Sequence, residues 1–200
     1  MDNKLMEELE ELLGKCDTRH SSVINLTEHL KNNGYYTAPA STSKHNSFRG
    51  GLLEHSMGVT RTLLVLKEAL LPAITDESCV IVGLFHDAHK VCDTFDNAYY
   101  TENKLKNGEL SGAKPYKINS NSFQLHGGTM SAMVVRDFIK LSPSELQAII
   151  YHDGQYVMAN RDVQHKETTL TLLLHWADMW NASQIEKSSS DYYSVLNGRV

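Results

Sequence analysis

Residues 79–90 read CVIVGLFHDAHK: an apolar run that passes without a break into His86, Asp87 and Lys90. Such a run, with Thr75 or Asp76 to cap it, predicts a buried helix ending at about His86-Asp87. Ionisable groups on a buried helix cost stability unless each finds a partner. The same problem recurs on both sides. Upstream, Leu52, His55, Val59, Leu63, Leu66 and Leu70 follow helical spacing and Pro72 closes the pattern, so His55 lies on the buried face of a long helix. Downstream, Ser142-Pro143-Ser144-Glu145 is a helix-start signal for a segment carrying Ile149, Ile150 and His152. A last helix over 168–185 carries His175 and Asp178.

The rest of the chain fits around these helices. An acidic amphipathic helix is expected over 1–13, with Leu5, Leu9 and Leu12 or Leu13 inward and Gly14 ending it. Ser21 or Ser22 can cap a second helix that stops at Asn33-Gly34. Gly127 or Gly128 opens another that runs to about Lys140, with Met130, Met133, Val134 and Ile139 inward. Residues 35–51 and 154–166 read as loops. Residues 97–121 alternate polar residues with tyrosines around Asn107-Gly108 and read as a small β-hairpin or long ordered loop. The fold class is all-α, a helical bundle with one hairpin-like insertion.

Composition narrows the function. Two hundred residues, 41% hydrophobic and 22% charged, suit one globular core, and a net charge of −5 argues against a duplex nucleic-acid partner held through its backbone. No apolar stretch approaches the roughly 18 residues that span a bilayer, so no membrane partner is expected. The acidic start MDNKLMEELEELL lacks a basic region and a cleavable apolar segment, and Cys16, Cys79 and Cys92 have no CxxC spacing. These features predict a cytoplasmic protein with reduced thiols.

The ten histidines are the unusual feature. An imidazole on an apolar face needs a hydrogen-bond partner or a metal. His55, His86, Asp87, His126, His152 and Asp178 lie at helix ends or inward faces of well-separated helices, which a bundle can bring to one cavity. Four N/O donors hold one divalent ion, and a carboxylate placed between two ions bridges them. Without a thiolate the set favours Mn, Fe, Co, Ni or Zn over a structural cysteine site. His175 shares a helical face with Asp178 and reads as its hydrogen-bonding neighbour. Trp176, Trp180, Met130 and Met133 read as packing, and His20, His29 and His165 as surface residues.

His55, His86-Asp87 and Asp178, in that order, resemble the H…HD…D signature of the HD-domain superfamily of metal-dependent phosphohydrolases. The context is similar too: HNSFRGGLLEH before the first histidine, LFHDAHK around the pair, and LLHWADMWNA around the last aspartate. His126 and His152 resemble the two extra histidines of dinuclear members. The likeness is greatest to the HD domain of bacterial 3′-to-5′ exoribonucleases and to small stand-alone HD proteins of phage and Firmicute type. It spans about 40–186, leaving 1–39 as N-terminal helices packed on the core and 187–200 as a tail. The OB-fold of the exoribonucleases has no counterpart in the residues before the match.

The resemblance implies two divalent ions. His55, His86, Asp87 and Asp178 would hold the first, and Asp87 would bridge to a second held with His126 and His152. The implied reaction is cleavage of a phosphoester of a nucleotide or short oligonucleotide by a metal-activated hydroxide, with Asp87 and Lys90 as catalytic residues. Lys90 would face the phosphate, joined by Arg49 and His45. Asp153 stands where dinuclear members carry a second histidine and is a candidate replacement ligand. His89 stands where relatives carry glycine and would narrow the mouth of the site. Two other classes remain: a di-iron oxygenase using the same ligands, and a non-catalytic nucleotide-binding regulatory module.

Overall fold

The computed structural model describes residues 3–92 and 97–186. Its central element is α3 (Gly51–Leu70), which packs against α4 (Asp76–Phe85) and α7 (Thr169–Trp180). α6 (Pro143–Tyr151) packs against α7 and against α5 (Gly127–Arg136). Helices α1 (Asn3–Leu13) and α2 (His20–Asn32) contribute Leu9, Leu12, Leu13, Val23, Leu26 and Leu30 to the same hydrophobic core. The insertion is a hairpin: β1 (Tyr100–Glu102) pairs antiparallel with β2 (Tyr116–Ile118), and Gly108, at φ +87°, turns the chain between Leu105 and Glu109. The all-α bundle with a small hairpin is therefore the observed architecture. The proposed tail, 187–200, lies outside the described residues.

Two close approaches bring helix ends to the centre. Gly83 of α4 lies against Thr60 of α3, and Gly128 of α5 lies against the carbonyls of Ile149 and Ile150 in α6; a Cβ at either glycine would clash. Each approach seats the C-terminal turn of a helix, α4 or α6, deep in the bundle, and those turns carry His86 and His152.

Helix starts follow local chemistry at three places. Thr75 caps α4, Thr168 caps α7, and Ser142 with Glu145 forms a complete capping box for α6. α2 is different, because neither Ser21 nor Ser22 caps it. Arg19 is the N-cap residue and its side chain makes no cap hydrogen bond, but its backbone N–H donates to the Glu77 carboxylate at 2.8 Å, so a tertiary partner satisfies one donor at this helix start. α5 ends at Arg136, short of Lys140. Met133 is 41% exposed, correcting the inward assignment: at 3.6 residues per turn it points away from the arc of Met130, Ser131 and Val134. Trp176 and Trp180 are also exposed, because Leu173, Leu174 and Ala177 occupy the buried arc of α7.

Arg19 ties three elements together. Its guanidinium donates to Glu145 at 2.7 and 2.8 Å, to Glu77 at 3.1 Å and to the Lys140 carbonyl at 3.1 Å. Glu145 is 1% exposed. Burial alone would raise its pKa, but Arg19, the Ser142 backbone and Ser78 outweigh burial and hold it down at about 2. Removing one partner of a buried ion pair leaves the other charge stranded. Arg19→Ala is therefore expected to cost about 3 kcal/mol in urea unfolding at pH 7. Because the folded pKa of Glu145 lies below its unfolded value of 4.5, this stabilisation is present above pH 4.5 and fades as pH falls toward 2. The gap between wild type and variant should shrink across that window, and a gap unchanged at pH 3 would refute the assignment.

Candidate metal centre

Helix ends orient the two central histidines. The last carbonyls of a helix lack intrahelical donors. His86, the C-cap residue of α4, places its ring Nδ1 2.9 Å from the Gly83 carbonyl, and His152, the C-cap residue of α6, places Nδ1 2.8 Å from the Ile149 carbonyl. A carbonyl only accepts, so each Nδ1 carries a proton and each Nε2 is the ring atom turned inward. His55 lies within α3 and has no free carbonyl to use. Its Nδ1 instead meets both oxygens of Glu186, at 2.9 and 3.0 Å. Glu186 follows the wide π-helical turn over Asn181–Ile185 that extends α7.

The three Nε2 atoms converge on Asp87, which is 3% exposed. Its Oδ2 lies 3.6 Å from His55 Nε2 and 3.4 Å from His86 Nε2, and its Oδ1 lies 3.5 Å from His152 Nε2. Asp178 Oδ1 is 3.2 Å from His55 Nε2. The two oxygens of Asp87 thus face two neighbouring donor groups. Donor atoms of His55, His86 and Asp178 lie within 4.8 Å of one another, as do those of His152, Asp153 and Asp178. Lys90 donates to Asp87 Oδ2 at 2.6 Å.

These donors suit a divalent cation. His55 Nε2 and His86 Nε2 are 3.3 Å apart, a distance at which two imidazole lone pairs repel unless a proton or metal ion lies between them. Acidic groups prevail: Asp87, Asp153, Asp178 and Glu186 surround the rings, against Lys90. Burial disfavours a charged His55, yet Asp178 and Glu186 outweigh it and raise the pKa to about 9. His152 is raised to about 10 against the same burial penalty by Asp153 and Asp87. Asp87 and Asp178 are both held below the usual carboxylate range despite burial, Asp87 chiefly by Lys90 and His86 and Asp178 chiefly by His55. The pocket demands positive charge at its centre. Buried His/Asp groups that can hold a metal ion are therefore present, with N and O donors only.

The centre opens into a cavity of about 630 Å³, lined on one side of its chemistry by Asp87, His152, Asp153 and Asp178 and by the basic residues Lys44, His45 and Lys90. The His45 ring lies against His55, centroids 4.9 Å apart and tilted by 37°, and its Nε2 is buried without a hydrogen-bond partner. Burial, then the neighbouring His55, push its pKa down to about 4, so the ring is neutral. Asp153 sits at the mouth with its side chain 45% exposed. His175 hydrogen-bonds the His152 carbonyl at 2.8 Å, a supporting role.

Three sequence candidates lie elsewhere. His126, the N-cap residue of α5, belongs to none of the donor groups among the described residues, whereas Asp153, the candidate replacement ligand, shares a donor group with His152 and Asp178. His89 is buried beside Ser131, 2.8 Å from its Oγ, with its pKa pushed down to about 3 by burial; it packs the turn against α5 and does not line the cavity. Arg49 borders a neighbouring cavity of about 320 Å³ that shares Lys90. Sequence reasoning missed Glu186 and Lys44. Glu186 carries no local signal, whereas Lys44 adjoins His45 in the same loop.

Metal that binds only the folded chain stabilises it by mass action, about 2.7 kcal/mol at one hundred times Kd. Manganese or zinc should therefore raise the Tm by roughly 5–10 °C, and Asp87→Ala should abolish the increment. The increment should be larger at pH 8 than at pH 6, because the metal displaces protons held by His55 and His152. Asp153→Ala should lower the bound metal, and His126→Ala should leave it unchanged; the reverse pattern by elemental analysis would reinstate His126. No protein-family model matches the chain, and neither curated proteins nor solved structures give a match, which leaves this geometry as the ground for a functional reading.

Proposed function

We propose that the chain is a metal-dependent phosphohydrolase of the HD type that cleaves a phosphoester of a nucleotide or short oligonucleotide. The observation that carries this reading is the division of Asp87: one oxygen toward His55 and His86, the other toward His152, with the Lys90 ammonium alongside. That arrangement suits two adjacent divalent ions sharing a carboxylate. Ions bound there would act as Lewis acids on a phosphoryl oxygen and make a water a stronger nucleophile.

The chain's own groups supply the rest. Lys90 is held cationic: burial opposes its charge, but Asp87 outweighs it and keeps the pKa above the usual lysine value. Its ammonium lines the cavity, where it can pair with a non-bridging phosphoryl oxygen as charge develops. His45, neutral, lines the same wall, with its Nε2 buried and without a hydrogen-bond partner. Arg49 is placed to meet a phosphate only in the neighbouring cavity. A cavity of about 630 Å³ falls within the range of roughly 300–1,000 Å³ typical of small-ligand sites. With a net charge of −5, the chain has little means of holding a long polyanion, which favours short substrates. The thiols of Cys16, Cys79 and Cys92 are buried and form no disulfide, which fits a reducing, cytoplasmic setting.

Lys90 distinguishes phosphate chemistry from an oxygenase on the same ligands. Lys90→Ala should lower kcat about a hundredfold while changing KM only a few-fold, the signature of an interaction made mainly in the transition state. The panel should cover phosphomonoesters, linear and cyclic dinucleotides, and short RNA and DNA, each with Mn, Fe, Co, Ni and Zn. Turnover of no phosphoester with any metal would overturn the proposal, and metal-dependent oxygen consumption would replace it with the oxygenase reading.

A further inference from the structure

The two His-Asp dipeptides end their helices in the same way. His86 and His152 are C-cap residues, and Asp87 and Asp153 lead into 3-10 turns over Ala88–Lys90 and Gly154–Tyr156. Lys90 and Tyr156 therefore occupy equivalent positions, each four residues after its histidine, and both line the cavity of the metal centre. The first turn delivers an ammonium and the second an aromatic ring.

That ring is held in an unusual place. Tyr156 is 82% exposed, although burying an aromatic ring is among the larger gains open to a side chain. Its turn is nevertheless fixed. Gly154, at φ +63°, adopts a left-handed conformation, and a Cβ there would strike the ring of His175. Its carbonyl accepts from Asn160 Nδ2 at 2.9 Å, and Gln155 donates to Glu167 at 2.7 Å. The Tyr156 hydroxyl reaches the Met179 sulfur at 4.0 Å. Tyr156, Val157, Met179 and Ala182 give the cavity an apolar wall, while Lys44 and Lys90 give it a cationic one.

We propose that Tyr156, backed by Met179, is the platform on which the planar base of a nucleoside phosphoester stacks while its phosphate lies at Lys90 and Asp87. This rests on the phosphohydrolase reading and adds what the site recognises beyond the phosphate. Stacking uses the π-face that every base presents, so the wall selects nucleotides over simple sugar phosphates and discriminates weakly among bases.

The test titrates the full chain, with manganese present, by calorimetry against a nucleoside 5′-monophosphate and against ribose 5-phosphate. The wild type should bind the nucleotide at least about tenfold more tightly than ribose 5-phosphate. Tyr156→Ala should remove about tenfold from nucleotide binding and leave ribose 5-phosphate unchanged, in keeping with the loss of one base–aromatic stack. Tyr156→Phe should restore it. Met158→Ala, an exposed neighbour outside the cavity, should change neither. Equal losses for both ligands, or none for either, would overturn the platform. So would a Tyr156→Ala chain that keeps nucleotide affinity but changes from dimer to monomer in sedimentation, which would make the ring a contact between copies. The two readings fail separately. Base-dependent binding without turnover of any phosphoester would remove the hydrolase and keep the platform, whereas equal turnover of both ligands, insensitive to Tyr156→Ala, would do the reverse.

Discussion

The geometry of the centre depends on where two helices stop. A helix that ends inside a protein must find donors for its final carbonyls, and in α4 this is done by the residues that build the site. The His86 backbone N–H takes the Val82 carbonyl, the His86 ring takes that of Gly83, and the Tyr35 hydroxyl takes that of Leu84. The hydrogen bond that satisfies the helix end also orients the ring, so the inward Nε2 of His86 comes with the cap. α6 repeats the device at His152. α3 cannot, because His55 lies within the helix, and there an outside carboxylate, Glu186, must supply the orientation. This is why the chain continues past α7 through a π-helical turn and back toward α3.

Such a centre is costly. Three imidazoles and a nearly fully buried carboxylate are removed from water, and the attraction among them offsets only part of the desolvation. The structure keeps them in place by packing. Gly83 on Thr60 and Gly128 on the α6 carbonyls are close approaches that a Cβ would block, and they seat the two helix ends. The Arg19 cluster with Glu77 and Glu145 holds α2, α4 and α6 together at the other end of α6 from His152. Its charges are paired within the fold, whereas the charges around Asp87 are left in excess of acid.

Much of this was legible in the sequence where chemistry and periodicity coincide. The helices carrying His55, His86, His152 and Asp178 follow from apolar spacing and from caps such as Thr75 and the Ser142–Glu145 box, and the hairpin follows from Asn107-Gly108. Periodicity was least informative for the faces of single helices. Met133, Trp176 and Trp180 are apolar but point outward, because a helix has more apolar positions than its buried arc can take. Glu77 accepting from the Arg19 backbone at the start of α2, and Glu186 orienting His55, were not legible, since each joins residues far apart in the chain and neither partner has a distinctive neighbourhood. His126 shows the opposite failure: a histidine in a suggestive place, at a helix start, that the fold leaves outside the cluster.

The two dipeptide turns are alike in backbone and unlike in exposure, and on the proposed function that difference assigns their tasks. Asp87 is enclosed, held by Lys90 and shared among three histidines, and of those histidines His55 and His86 are fully buried and do not line the cavity. Asp153 is half open to the cavity and shares its group only with His152 and Asp178. A catalytic metal position needs a coordination place that substrate or water can take, whereas a closed one serves mainly to hold structure and charge. The side of the centre nearer His152 and Asp153 is the one that opens toward solvent, and Tyr156 stands on the turn that follows it. Substrate approaching along that wall meets the open side first, with Asp87 behind it carrying charge between the two groups of donors.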